Sequence, residues 1–205
     1  TDFSQVMADI RARQGLSSAL ADIAAAKVKL ERLFAEQGDK DKFEFDPNAF
    51  APAMRQGVEA IIKEEMTTLQ LKSKSFVEQK TLLEEGISSR LKEQETYNER
   101  LKAQASLIAQ LADEVKQTRE LQKQGLTTTA RLNDLIREEL RQQSDVIQTR
   151  ILVQQVAVAI NTDRQSLSYL ANARRVAIAE DIRATQDRIT QLQKQIDGEK
   201  AVINE

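Results

Sequence analysis

Apolar side chains recur along two long stretches of the chain at alternating spacings of three and four residues. In the first stretch, Leu101, Ala105, Ile108, Ala112 and Val115 follow this spacing. A three-four alternation places side chains on one narrow stripe of an α-helix, as in a coiled coil. The second stretch holds the pattern over more than three heptads with two polar members, and consists of Ile178, Ile182, Thr185, Ile189, Leu192, Ile196, Glu199 and Ile203.

Two groups of helix-breaking residues interrupt the helical pattern. The segment 38–53 begins with a glycine and holds both prolines and three of the six phenylalanines, Phe43, Phe45 and Phe50. We expect an ordered linker whose phenylalanines pack on neighbouring helices, because a solvated spacer would not carry three bulky apolar rings. The second break is Gly125-Leu-Thr-Thr-Thr129. Gly125 suits the left-handed position after a helix, and Thr127 or Thr128 suits the N-cap of the next one.

The breaks leave three helices, over about residues 5–37, 54–124 and 128–203. The last two helices are nearly equal in length, at roughly 105–112 Å each for a rise of ~1.5 Å per residue. Joined by a tight turn, they should fold back antiparallel, with residue i opposite approximately residue 253 − i. The sequence therefore predicts an all-α fold, a long antiparallel coiled-coil hairpin over 54–203 with its tip at 125–129. A shorter N-terminal helix over 1–37 would pack at its base through the 38–53 linker. Gly15 and Gly86 are expected weak points, and the segment 161–163 is expected to mark a bend.

Composition narrows the range of functions. Aromatic residues make up 4% of the chain, Trp, Cys and His are absent, and the net charge is −2. Thiolate and imidazole chemistry are therefore excluded, and no metal, cofactor or nucleic acid is expected. Adjacent glutamates such as Glu64-Glu65 point about 100° apart on a helix, so we interpret them as solvated, and Arg174-Arg175 as a surface pair. We predict a structural protein and not an enzyme.

The second break has a recognisable motif. The segment from Gly125-Leu-Thr-Thr-Thr through Arg131-Leu132 to Leu135-Ile-Arg137-Glu138 resembles the hairpin turn of hemolysin-D-type membrane fusion proteins. The likeness extends to the segment 29–36 with its following Phe-Pro linker, and to the returning helix between 170 and 192. These proteins are periplasmic adaptors of type I secretion and related export systems. The resemblance implies that this chain is the periplasmic helical domain of a protein anchored in the inner membrane by parts outside the chain.

The resemblance also implies partners. In that family the hairpin bridges an inner-membrane transporter to an outer-membrane tunnel protein, which the tip contacts, and several adaptors pack side by side. The docking residues implied for this chain are Arg119, Leu121, Gly125, Leu126, Thr127, Thr128, Arg131, Leu132 and Leu135. Leu126 is the most informative of them, because a two-helix turn cannot fully bury an apolar side chain at its apex.

Other apolar residues lie off the predicted seam, and a single two-helix contact cannot cover them. They are Leu107, Leu111, Ile136, Leu140, Ile147 and Ile151. Most lie too near the tip for the N-terminal helix to reach, so side-by-side homo-oligomerisation is the better account.

Three alternatives stay open. The tip motif could be an ordinary helix–helix turn without a docking role. The same hairpin could belong to an outer-membrane polysaccharide-export protein, which its flanking domains would reveal. A cytoplasmic coiled-coil scaffold or membrane-curving dimer is the third, although a curving dimer needs a basic concave face that the mixed charge does not favour.

Overall fold

The computed structural model describes residues 2–204 as three long helices and a linker. Helix α1 spans Phe3–Gln37, α2 spans Arg55–Lys123 and α3 spans Thr129–Asn204. Two short 3-10 turns, Pro47–Ala49 and Pro52–Met54, lie in the linker, and no strand occurs among the described residues. The predicted all-α hairpin fold is confirmed. The helices run without interruption through Gly15, Gly86 and the segment 161–163, so none of these positions ends a helix.

The residues form two compact units. The first combines the chain up to Lys80 with the segment from Tyr169 onward, and the second is Thr81–Ser168. Helices α2 and α3 each contribute to both units, whereas α1 and the linker belong to the first.

In the first unit, α1 packs antiparallel against the C-terminal part of α3. Ala19 and Ile23 of α1 form one buried cluster with Leu192 and Ile196 of α3. Farther along, Leu33 packs with Ile178 and Ile182. Residue i of α1 therefore lies opposite approximately residue 214 − i of α3. The second predicted stripe is confirmed, because all eight of its positions are buried or half-buried.

The linker packs against α1 and the beginning of α2. Its three phenylalanines cover a cluster formed by Ala24 and Val28 of α1 and Val58 of α2. The rings of Phe45 and Phe50 stack with their centroids 5.8 Å apart. The expectation of an ordered linker with docked phenylalanines is confirmed.

A buried charge network joins α1 to α2. Arg32 is 4% exposed. Its Nη1 donates to Oε2 of Glu36 at 2.8 Å, and its Nε donates to Oε2 of Glu65 on α2. The interpretation of Glu65 as solvated is therefore wrong. Helix packing brings Glu65 against a guanidinium from another helix, which the spacing along α2 alone does not reveal.

Arg174 of α3 binds at the C-terminal end of α1, so the interpretation as a surface residue is wrong as well. Its Nη1 donates to Asp39 Oδ1 at 2.7 Å, and its Nη2 donates to the carbonyl oxygen of Glu36 at 3.0 Å. The guanidinium carbon also lies 4.3 Å from the ring centroid of Phe76 on α2. One side chain thus joins α1, α2 and α3.

In the second unit, α2 and α3 are antiparallel neighbours. Arg90 of α2 pairs with Asp163 of α3 at 3.1 Å, and Val115 shares a buried cluster with Leu132 and Leu135. Residue i lies opposite approximately residue 250 − i, close to the predicted 253 − i.

The seam of α2 differs from the prediction at alternate positions. Leu101, Ile108 and Val115 do face α3, but the seam residue that follows each of them is Gln104, Leu111 and Thr118 respectively, and all three are buried. Ala105 and Ala112 are exposed. Leu111, predicted to lie off the seam, is 8% exposed and belongs to it. The apolar pattern misled because the sequence places alanine beside the seam and polar side chains within it.

Candidate docking tip

The tip begins where α2 ends in a left-handed glycine cap. Gly125 has a φ of 72°. Its N–H donates to the carbonyl oxygen of Gln122 at 3.0 Å, and the N–H of Leu126 donates to that of Leu121 at 2.9 Å. This pair of hydrogen bonds is the Schellman motif, which satisfies carbonyls at a helix end and needs a residue without a Cβ penalty at the left-handed position. The motif fixes the direction in which the chain leaves α2.

Thr128 caps the returning helix. Its Oγ1 accepts a hydrogen bond from the N–H of Arg131 at 3.2 Å, and its carbonyl oxygen accepts one from Leu132 at 3.3 Å. Of the two threonines proposed for this role, the structure selects Thr128. A side-chain oxygen at this place satisfies one of the free N–H groups of the first turn.

Side-chain contacts hold the two helices together just behind the turn. Gln122 Nε2 donates to Thr129 Oγ1 at 3.1 Å, and Arg131 Nη2 donates to Glu114 Oε1 at 3.3 Å. These partners were not singled out in the sequence, since the predicted register puts Glu114 opposite residue 139. The observed register places Glu114 opposite approximately residue 136, and the long side chain of Arg131, five residues away, reaches it.

The implied docking residues divide into an exposed and a buried set. Leu126 at the apex is 69% exposed and Leu121 is 43% exposed. The side chains of Arg119, Thr128 and Arg131 are exposed as well, and Thr127 is half-buried. Leu132 and Leu135 are each 8% exposed and pack against Val115, so they support the turn from within.

The exposed tip offers apolar surface framed by polar and cationic groups. Two leucine side chains next to arginines suit contact with another protein, because the buried centre of an interface is more apolar than the rest of the surface and is enriched in arginine. Among residues 2–204, no cluster of three or more carboxylates could hold a metal ion. Over the same residues, no helix combines the length and hydropathy that a bilayer crossing requires.

Several apolar side chains away from the tip are also uncovered. Of the six predicted to lie off the seam, Leu107, Leu140, Ile147 and Ile151 are exposed, Ile136 is half-buried, and Leu111 is buried as described above. Val158, 64% exposed, continues this series and was missed. Its position seven residues after Ile151 is the signal that could have found it.

The fold and its capped apex define a helical-hairpin domain. The chain belongs to the family of AprE long alpha-helical hairpins. The model of that family matches residues 12–202. This confirms the predicted hairpin of the hemolysin-D type, a structural domain and not an enzyme. No curated protein matches the sequence.

The fold is shared with the soluble domain of LipC, a membrane fusion protein of a type I secretion system. The TM-score is 0.85, and the match covers 95% of this chain and 92% of that chain. The sequence identity is 12%, so the likeness is one of fold.

Proposed function

We propose that this chain is the periplasmic hairpin of an export adaptor that links an inner-membrane transporter to an outer-membrane tunnel protein. Membership of the AprE hairpin family and the fold shared with LipC support the adaptor role. The tip would dock on the tunnel protein, while domains outside this chain would contact the transporter and anchor the protein. Copies would lie side by side around the path of the cargo.

The observation that carries the docking role is the exposure of Leu126. A fixed Schellman turn holds this side chain 69% exposed at the apex, next to the half-exposed Leu121. Burying such a side chain in a partner is worth about 1.5–3 kcal/mol. A Schellman motif commonly has an apolar contact between the two positions that Leu126 and Leu121 occupy, which accounts for apolar residues there. Leu126 nevertheless stays 69% exposed and is not part of the buried cluster beneath the turn, so most of its side chain remains in water. A partner that covers the apex would explain it.

Buried tip residues would act indirectly. Leu132 and Leu135 pack with Val115 below the turn and keep α2 and α3 closely paired. We assign the contact itself to the exposed set of Arg119, Leu121, Leu126 and Arg131, and the geometry of the turn to Gly125 and Thr128.

Site-specific photo-cross-linking in cells that make the full-length protein tests this function. A photoreactive side chain at Leu126 should capture an outer-membrane protein. The same side chain at Gln110, exposed on α2 and 13 residues before its end at Lys123, is the matched control and should not capture it. Leu126→Glu should abolish export without loss of helicity. Capture at neither position, or unchanged export by the variant, would refute docking by the tip.

A further inference from the structure

Polar side chains interrupt the seam between α2 and α3 at one level of the second unit. Gln104 of α2 is 8% exposed, and the seam residues of α3 at its level are Val146 and Thr149, which are 9% and 1% exposed. We call these three residues the Gln104 layer. An amide and a hydroxyl thus occupy buried positions that apolar side chains fill in a regular coiled coil.

The amide of Gln104 has an unpaired oxygen. Its Oε1 is buried and accepts no hydrogen bond, and no other buried side-chain nitrogen or oxygen of residues 2–204 lacks a partner. The hydroxyl of Thr149 donates its single proton to the carbonyl oxygen of Asp145, at 3.0 Å, and so does not supply a donor to the amide. A buried acceptor that has lost water without gaining a donor destabilises the closed form of the seam.

The seam around the Gln104 layer has no polar contacts between the two helices. Arg90 pairs with Asp163 on one side of the layer, and Glu114 pairs with Arg131 on the other. Among the described residues, no side-chain hydrogen bond or ion pair joins α2 to α3 between those two levels, a stretch of about 36 Å. The Gln104 layer lies near the middle of this stretch, so only apolar contacts hold the helices together there.

The apolar contacts are themselves open to water on one side. Leu101 and Ile108, the seam residues before and after Gln104, line a shallow groove together with Val146. The other residues of α2 that line it are Lys102, Ala105, Ala109 and Ala112. A methyl side chain covers less of the neighbouring seam than a leucine or isoleucine does. Water therefore lies close to the seam residues at this level.

From these features we infer that α2 and α3 separate locally at the Gln104 layer, while the seam stays closed below the apex and around Arg90. Local opening occurs where stabilising contacts are fewest, and here it also lets water pair with Oε1. A rod that loosens at one level can bend at that level, so the apical part of the hairpin can tilt while it docks. The inference rests on the proposed function for this role in docking, and local opening itself needs no partner.

Thiol labelling of single-cysteine variants measures the opening, because the chain has no cysteine of its own. Three buried valines of the seam are matched probes: Val146 in the layer, Val115 on the side of the apex and Val156 on the other side. A buried thiol reacts while the seam around it is open, so its rate reports the fraction of open molecules. The thiol of Val146→Cys should react about tenfold faster than the other two, as one unpaired buried group implies.

Gln104→Leu gives the deciding comparison. It replaces the unpaired amide by an apolar side chain that suits a seam position. In this background the reaction of Val146→Cys should slow by about tenfold, and the two flanking thiols should keep their rates. The control is Gln110→Leu, the same change at an exposed position of α2, which should alter none of the rates. Circular dichroism checks that all variants stay helical.

Export by the full-length protein tests the role of the opening in docking. Gln104→Leu should export less cargo than Gln110→Leu, because a closed layer resists tilting. Equal rates at the three thiols, or an unchanged rate of Val146→Cys in the Gln104→Leu background, would overturn the inference. A slowed thiol with unchanged export would remove the role in docking and leave local opening in place. Failure of Leu126 to capture a partner would remove the proposed function and leave the thiol rates unaffected.

Discussion

The network around Arg32 gives the most demanding prediction about stability. Arg32 of α1 is buried and holds two carboxylates, Glu36 on its own helix and Glu65 on α2. The substitution Arg32→Met keeps the length and apolar stem of the side chain but removes its charge. It leaves Glu36, whose side chain is 7% exposed, without its cation.

The loss of stability expected for Arg32→Met follows from the burial of the two carboxylates that it leaves without a cation. Removing one partner of a buried ion pair costs about 3–5 kcal/mol, because the remaining charge stays in a poorly solvated place. Glu65 is less buried, at 21% side-chain exposure, so water relieves part of its penalty and favours the lower end of that range. A loss of about 3 kcal/mol corresponds to a more than hundredfold change in an equilibrium constant.

Hydrogen exchange of α1 measures this loss locally, which is useful because two compact units need not unfold together. Amides between 28 and 36 should exchange more than a hundredfold faster in Arg32→Met. Arg13→Met is the control, since Arg13 also pairs with a carboxylate four residues away, Asp9, but with a side-chain exposure of 65%. Its effect should stay below about 1 kcal/mol. Equal effects from the two variants would refute the reasoning.

Two further comparisons test the assignment of buried and exposed leucines. Leu192→Ala, at a site 1% exposed in the contact of α1 with α3, should lower the free energy of unfolding by about 2–5 kcal/mol in urea. Leu82→Ala, at a site 72% exposed, should change it by less than about 0.5 kcal/mol. Leu132→Glu should lower the melting temperature followed by circular dichroism, whereas Leu126→Glu should not. If both tip variants melt alike, the distinction between support and contact residues at the tip is wrong.

The sequence predicted the buried positions of the helices best where the seam is filled by branched apolar residues. Between Ile178 and Ile203, isoleucine and leucine dominate the three-four pattern, and every member is buried or half-buried in the structure. The position of the hairpin turn could be predicted equally well, because glycine and threonine have specific backbone and capping roles there. The docking of the linker phenylalanines followed from the cost of leaving three such rings in water.

Prediction failed where polar residues enter a seam. Gln104 and Thr118 are buried between α2 and α3, while Ala105 and Ala112 beside them are exposed. Alanine is favourable on any helix surface and carries little information about burial. The buried state of Arg32 was also invisible, since it depends on Glu65 arriving from another helix. Pairings between distant segments do not appear in a local pattern of residues.

The hydrogen bonds of Arg174 bear on the order in which the parts of the protein fold. Its contacts with Glu36 and Asp39 close loops of 138 and 135 residues, whereas the bond from Gln122 to Thr129 closes one of seven. Short loops close at lower entropic cost and sooner. During synthesis the apex can pair as soon as the first turns of α3 emerge. Helix α1 can meet the linker and the start of α2 early, but its contacts with α3 must wait for the final quarter of the chain. Until then the stripe that α1 buries against α3 stays open to solvent, so the earliest segment made completes its packing among the last.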